Sequence, residues 1–106
     1  MPRKPPKEQI ADQLEKLVRA IKPFNPEKVI LFGSMAREDY TAHSDIDVVV
    51  VMPSDKGFFD RTYEVMRHCD LNMPLDLLVY TPQEFQSMIE HENPFIRKVL
   101  QEGKNL

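Results

Sequence analysis

Two short stretches carry residue types that could do chemistry together. In the first, Gly33-Ser34 follows the apolar run Lys28-Val-Ile-Leu-Phe32. In the second, Ser44-Asp45-Ile46-Asp47 leads into Val48-Val-Val-Val51. Both apolar runs are short, rich in β-branched residues and bounded by polar ones, so they read as largely buried strands. Residues i and i+2 of a strand share a face. Asp45 and Asp47 therefore present two carboxylates side by side, with Ile46 turned into the core. Two like charges at that distance weaken a strand unless something opposes them, and a divalent cation between them would do so. A third carboxylate, Asp76, interrupts the apolar run Leu75-Asp-Leu-Leu-Val79. An aspartate buried there is costly without a partner, and convergence of all three carboxylates on a metal would explain it. Taken singly, each feature has a plainer reading: solvated turn aspartates, and Gly-Ser as an ordinary turn. The combination is what points to a site.

The elements that must position these residues can be read in order. Residues 1–6 are basic and proline-rich and are expected to form a disordered tail, followed by one domain over 7–106. Ile10, Leu14, Leu17, Val18 and Ile21 recur at three- and four-residue steps, which predicts an amphipathic helix over 7–21. Lys22-Pro-Phe-Asn-Pro26 stops it. Strand one covers about 28–32. Ser34 is a candidate N-cap for a short helix over 35–38, and a loop through His43 reaches strand two.

Ser54-Asp-Lys-Gly57 is a turn, and 58–69 predicts a helix with Phe58, Phe59, Thr62, Tyr63, Val65, Met66 and Cys69 along a broad apolar side. Strand three covers 75–80. Thr81, Pro82 and Glu84 together predict a capped helix start with Phe85, Met88 and Ile89 facing inward. Asn93-Pro94 begins a last helix carrying Phe95, Ile96, Val99 and Leu100, ended by Gly103. The alternation implies a small α/β (α+β) domain, with a mixed sheet of about three strands flanked by helices in two or three layers.

Composition narrows the function classes. The chain has 106 residues, 42% hydrophobic and 29% charged, enough for one core without staples. A net charge of −3 argues against a dedicated nucleic-acid binder, which usually carries a basic face, so no direct nucleic-acid partner is expected. The single cysteine, Cys69, cannot form an internal disulfide and suits a reducing compartment. The apolar run 48–52 is too short to span a bilayer, and no signal-peptide core follows the N-terminus, so no membrane partner and a cytoplasmic location are expected. His43 reads as a surface histidine. His68 and Cys69 point different ways on one helix and make a poor metal pair. Tyr40 and Tyr80 are the aromatic residues that could stack on a base.

Gly33-Ser34, Ser44-Asp45-Ile46-Asp47 and Asp76, with their spacing, resemble the signature of the minimal nucleotidyltransferases (the MNT family) of the polymerase-β-type superfamily. The resemblance covers nearly the whole chain, although relatives usually carry glycine where this chain has Glu38. It implies a nucleotidyltransferase fold and metal-dependent transfer of AMP from ATP to an acceptor hydroxyl. Asp45, Asp47 and Asp76 would be the catalytic and metal-binding carboxylates. Two Mg²⁺ ions would suit them, because Mg²⁺ takes few protein ligands and two ions can stabilise attacking and leaving oxygens. Gly33, Ser34, Arg37 and Ser44 would form the nucleotide-binding set. Gly33 would allow close backbone approach to the phosphates, with Ser34 and the following N–H groups facing them.

The resemblance also implies a helical HEPN-type partner, which such proteins neutralise as antitoxins by binding or adenylylating it. A homo-oligomer is possible as well. The alternative, from a different class, is a non-catalytic nucleotide- or partner-binding module that neutralises its partner by contact alone.

Overall fold

The computed structural model describes residues 2–106. Helix α1 is Lys7–Ile21, as its apolar periodicity predicts. Its inward stripe is Ile10, Gln13, Leu17 and Ile21, while Leu14 and Val18 are only partly covered. Gln13, a polar residue in the buried face, is satisfied by accepting the Asn72 backbone N–H at 2.6 Å, which ties α1 to the loop before the third strand. A 3₁₀ turn, Lys22–Phe24, ends in Asn25 with φ 52°, a left-handed conformation that asparagine tolerates.

Strand β1 is Lys28–Phe32, helix α2 Gly33–Arg37, strand β2 Ile46–Val51, helix α3 Phe58–Met66 and strand β3 Leu75–Tyr80. Helix α4 is Pro82–Glu90, helix α5 Pro94–Glu102 and strand β4 Lys104–Asn105. The sheet order is β3-β2-β1-β4, with β1 antiparallel to both β2 and β4, and β2 parallel to β3. The sheet is thus small and mixed, as expected, with one strand more than the sequence suggests. Two residues, Lys104 and Asn105, add to β1, and the Leu106 N–H reaches the Val29 carbonyl at 2.8 Å. So short a strand has no alternation to read.

Alternating side chains of β2 build a core on each face of the sheet. Ile46, Val48 and Val50 pack with Ile10, Leu17 and Ile21 of α1, Met35 and Ala36 of α2, and Val65 of α3. Val49 and Val51 pack with Phe85 of α4 and Ile96 and Val99 of α5. The result is three layers. β2, central and covered on both faces, reads as a continuous apolar run for this reason. None of the helices among the described residues is long and apolar enough to cross a membrane.

Helix α3 departs most from its expected form. It stops at Met66, and its buried residues are Arg61 and Val65, whereas Phe59 is 83% and Tyr63 65% exposed. The helix is rotated so that a guanidinium lies inward. Arg61 Nε donates to the Val79 carbonyl at 3.0 Å, Nη1 to the Lys56 carbonyl at 3.1 Å, and Nη2 to Glu84. Three hydrogen-bond partners outweighed the apolar count. Ile89, expected inward, is exposed at the rim of α4, as are Phe95 and Leu100 on α5.

Two helix starts follow their sequence signals. Thr81 accepts the Glu84 N–H at 3.2 Å while Glu84 accepts the Thr81 N–H at 2.9 Å, a complete capping box. Asn93 caps α5 through the Phe95 and Ile96 amides. Helix α2, by contrast, begins at Gly33, so Ser34 lies inside the helix and caps nothing. It ends at Glu38 with φ 65°. A left-handed residue after a helix is most often glycine, so Glu38 holds a conformation that a side chain rarely adopts. Residues 2–6 pass over Tyr40: the buried tyrosine donates its hydroxyl to the Pro5 carbonyl at 3.2 Å, with the Lys4 ammonium over its ring.

Candidate active site

Three strands converge at one end of the sheet. Phe32, at the end of β1, pairs with Asp47 on β2, and Asp47 pairs in turn with Asp76 on β3. The register places the two aspartates directly opposite each other, with Gly33 continuing from Phe32 against Asp47. Parity puts Asp47 on the α4/α5 face with Val49 and Val51. The strand start is anchored by the Ile46 N–H on the Pro74 carbonyl at 2.9 Å, which also fixes how far Asp76 lies along β3.

Electrostatics mark Asp47 as the strained member. Burial pushes its carboxyl up from 3.8 to about 6, the Asp76 and Asp45 charges push in the same direction, and Arg37 offsets only part of this. A carboxylate facing two others without an adequate cation is what the sequence pattern implies. Asp76 is exposed on its strand, so the burial cost inferred from its apolar neighbours does not apply. It lies on edge strand β3, where the face it shares with Leu78 and Tyr80 is incompletely covered. Asp45 is exposed just before β2. Among the described residues no set of three or more His, Cys, Asp or Glu is gathered tightly enough to hold a metal ion. The register brings Asp47 and Asp76 together, and Asp45 stands beside them.

The Gly33 position tolerates nothing larger. Its φ is 73°, and a Cβ there would lie 2.3 Å from Asp47 Oδ2. The glycine thus lets the β1–α2 corner press against the carboxylate. Ser34 is partly covered on this corner. Ser44 is occupied locally, its Oγ accepting the Thr41 N–H at 2.9 Å, so it shapes the loop before Asp45. Arg37 is paired with two carboxylates. Its Nε donates to Asp39 Oδ2 at 3.1 Å, and its Nη1 to both oxygens of Glu102 at 3.1 and 3.2 Å, which together raise its pKa further. Glu102 Oε1 also accepts the Gly33 N–H at 3.2 Å.

Neither expected tyrosine stands free beside the carboxylates. Tyr40 is buried under residues 2–6, and Tyr80 packs on Phe58 at the far end of β3. Sequence reasoning missed Glu102. One signal was available: a carboxylate in the last turn of a helix is electrostatically disfavoured, so it calls for a cationic partner elsewhere.

Donor chemistry fits a hard cation. The set is all carboxylate oxygen, and Arg37 offsets only part of the charge at Asp47, so Asp45 and Asp47 are the residues that would hold one, with Asp76 beside them.

Comparison with known proteins places the chain in a wider group. Residues 10–104 match the nucleotidyltransferase domain. A protein of Methanocaldococcus jannaschii described as a candidate protein adenylyltransferase is 37% identical over 81 residues, covering 74% of this chain and 76% of its own. The crystal structure of a candidate nucleotidyltransferase from Sulfolobus solfataricus superposes with a TM-score of 0.54 at 30% identity, covering 78% of this chain and 82% of that one. A match over nearly all of the sequence, and a likeness in fold and sequence to that structure, agree with the small mixed sheet flanked by helices described above. The chain belongs to the nucleotidyltransferase domain family.

Proposed function

We propose that this protein transfers AMP from ATP, with Mg²⁺, to a hydroxyl on a protein acceptor, and that the acceptor is a HEPN-type helical partner it neutralises as an antitoxin in the cytoplasm. The observation that carries the reading is the in-register Asp47–Asp76 pair beside Gly33 at one end of the sheet. The candidate protein adenylyltransferase among its relatives supports a protein acceptor.

In this reading the acceptor oxygen attacks the α-phosphorus of ATP, the bond to the β-phosphate breaks, and pyrophosphate leaves. Asp76, exposed at the edge, orients the acceptor hydroxyl and takes its proton. Gly33 and Ser34 bring the backbone against the polyphosphate, and Arg37 supplies its one nearby guanidinium. The cation, held by Asp45 and Asp47, would neutralise the polyphosphate and the charge that develops on the leaving oxygen.

The contact-only module is favoured by one observation: Arg37 and the Gly33 N–H are already engaged by Glu102. Labelled-AMP transfer from ATP to the co-expressed partner, read by mass, separates the two. Asp76→Asn should keep nucleotide affinity and lower transfer by about a hundredfold. Equal rates would make Asp76 structural. A complex that forms with no transfer by either protein would leave the contact module.

A further inference from the structure

We infer that Glu102 is an internal stand-in for phosphate: its carboxylate holds the anion seat formed by the Gly33 N–H and the Arg37 guanidinium, and the polyphosphate of the nucleotide must displace it. The inference rests on the nucleotide-binding reading of Gly33 and Arg37. Both groups are donors with no acceptor of their own on α2, and one carboxylate serves them both, at 3.2 Å from the Gly33 nitrogen and 3.1 and 3.2 Å from Arg37 Nη1. A fork of this kind takes a carboxylate or a phosphate by the same geometry.

The fold, not a chance side-chain collapse, delivers Glu102 to that place. Glu102 is the last residue of α5, and its side chain is only 17% exposed. The next residue, Gly103, donates to the Val99 carbonyl at 2.7 Å, and a Cβ on it would lie 2.3 Å from that oxygen and 2.6 Å from Ile30 Cγ2. β4 then clamps the chain to β1 through Ile30 and Leu31. Glu102 therefore comes from the opposite end of the sequence, 69 residues from Gly33, and is presented by a backbone with little freedom.

Its charge works against an incoming anion, because Asp45, Asp47 and Asp76 stand on the same corner and Asp39 shares Arg37. A polyphosphate gains the seat only in the fraction of molecules where Glu102 has swung out, so its apparent affinity is lowered by that fraction.

The chain has three glycines, so their amide signals in a ¹⁵N-labelled sample give direct probes. Gly33 reports the seat, and Gly57, on the far side of the sheet's other end, reports whether the fold is intact. The probe is inorganic tripolyphosphate, followed by MgATP. In Glu102→Gln, the Gly33 signal should respond at roughly two- to fivefold lower tripolyphosphate than in wild type, the range expected for an ion pair of this exposure. Arg37→Gln should lose the response. A Glu102→Gln titration at equal or higher concentration would show that Glu102 positions Arg37 for the ligand instead of competing with it. A Gly33 signal that tripolyphosphate never moves, in either protein, would equally overturn the inference. If tripolyphosphate behaves as stated but MgATP leaves Gly33 unmoved, the seat and its occupant stand and the nucleotide reading falls.

Discussion

Asp47 is the residue on which the proposed chemistry and the stability of this fold pull in opposite directions. Its carboxyl sits at about 6 in the folded chain against an ordinary 3.8, so the native state holds the proton more tightly than the unfolded chain does. The sign follows directly: as pH rises from about 4 to 6 the native state loses stability relative to the unfolded one, and above about 6 the whole deficit is present. Asp47→Asn should therefore stabilise the metal-free protein at neutral pH by about 1 kcal/mol, after allowing for solvent screening of a half-exposed group. The gain should fade below about pH 4. Urea midpoints measured across that range would show it, and Mg²⁺ with a nucleoside triphosphate should stabilise wild type but not the variant. That the Asp45 and Asp47 charges act on each other was legible in the sequence, because the two stand two residues apart at the start of a strand. The raised proton affinity was not, since it depends on which strand lies alongside and in what register.

At the scale of elements, helix α3 shows where pattern reading stops. Counting apolar residues over 58–69 places Phe59 and Tyr63 inward, yet the helix turns them to solvent and buries Arg61. Periodicity sees side-chain types and not backbone acceptors. What orients α3 is the free Val79 carbonyl on the outer side of edge strand β3, the Lys56 carbonyl of the preceding turn, and Glu84 of α4. Replacing Arg61 by Met keeps most of its packing but leaves those acceptors buried or half-buried without a donor. We expect a loss of about 2–4 kcal/mol by thermal or urea denaturation, well above a surface substitution. A loss under about 1 kcal/mol would mean that water serves the acceptors equally well. The capping box of α4 and the Asn-Pro start of α5 were readable because the cap, its partner and the helix lie within four residues. Arg61 answers to groups as far away as Glu84, 23 residues on, and no local signal carries that.

For the whole molecule, the same division between local and distant information explains what could be foreseen. The three longer strands, their order along the chain and the candidate residues Gly33, Asp45, Asp47 and Asp76 were read from short, self-contained patterns, while the register that sets Asp47 opposite Asp76 was not. The β4 addition and the Glu102 contact join the two ends of the sequence and came only with the fold. The placement of β2 has a consequence for motion. Val48 to Val51 are covered on both faces and hydrogen-bonded on both sides, by β1 and by β3. β3 has a neighbour on one side only, and its even-numbered carbonyls, such as that of Tyr80 bonded to the Met52 N–H, face inward. In D₂O the amides of 48–51 should thus be the last to exchange, at rates set by opening of the entire domain, while the outward Leu77 amide exchanges through fraying of the edge. Asp47 then rides on the slowest-opening segment and Asp76 on a faster one, so the two carboxylates that face each other across the site keep different clocks.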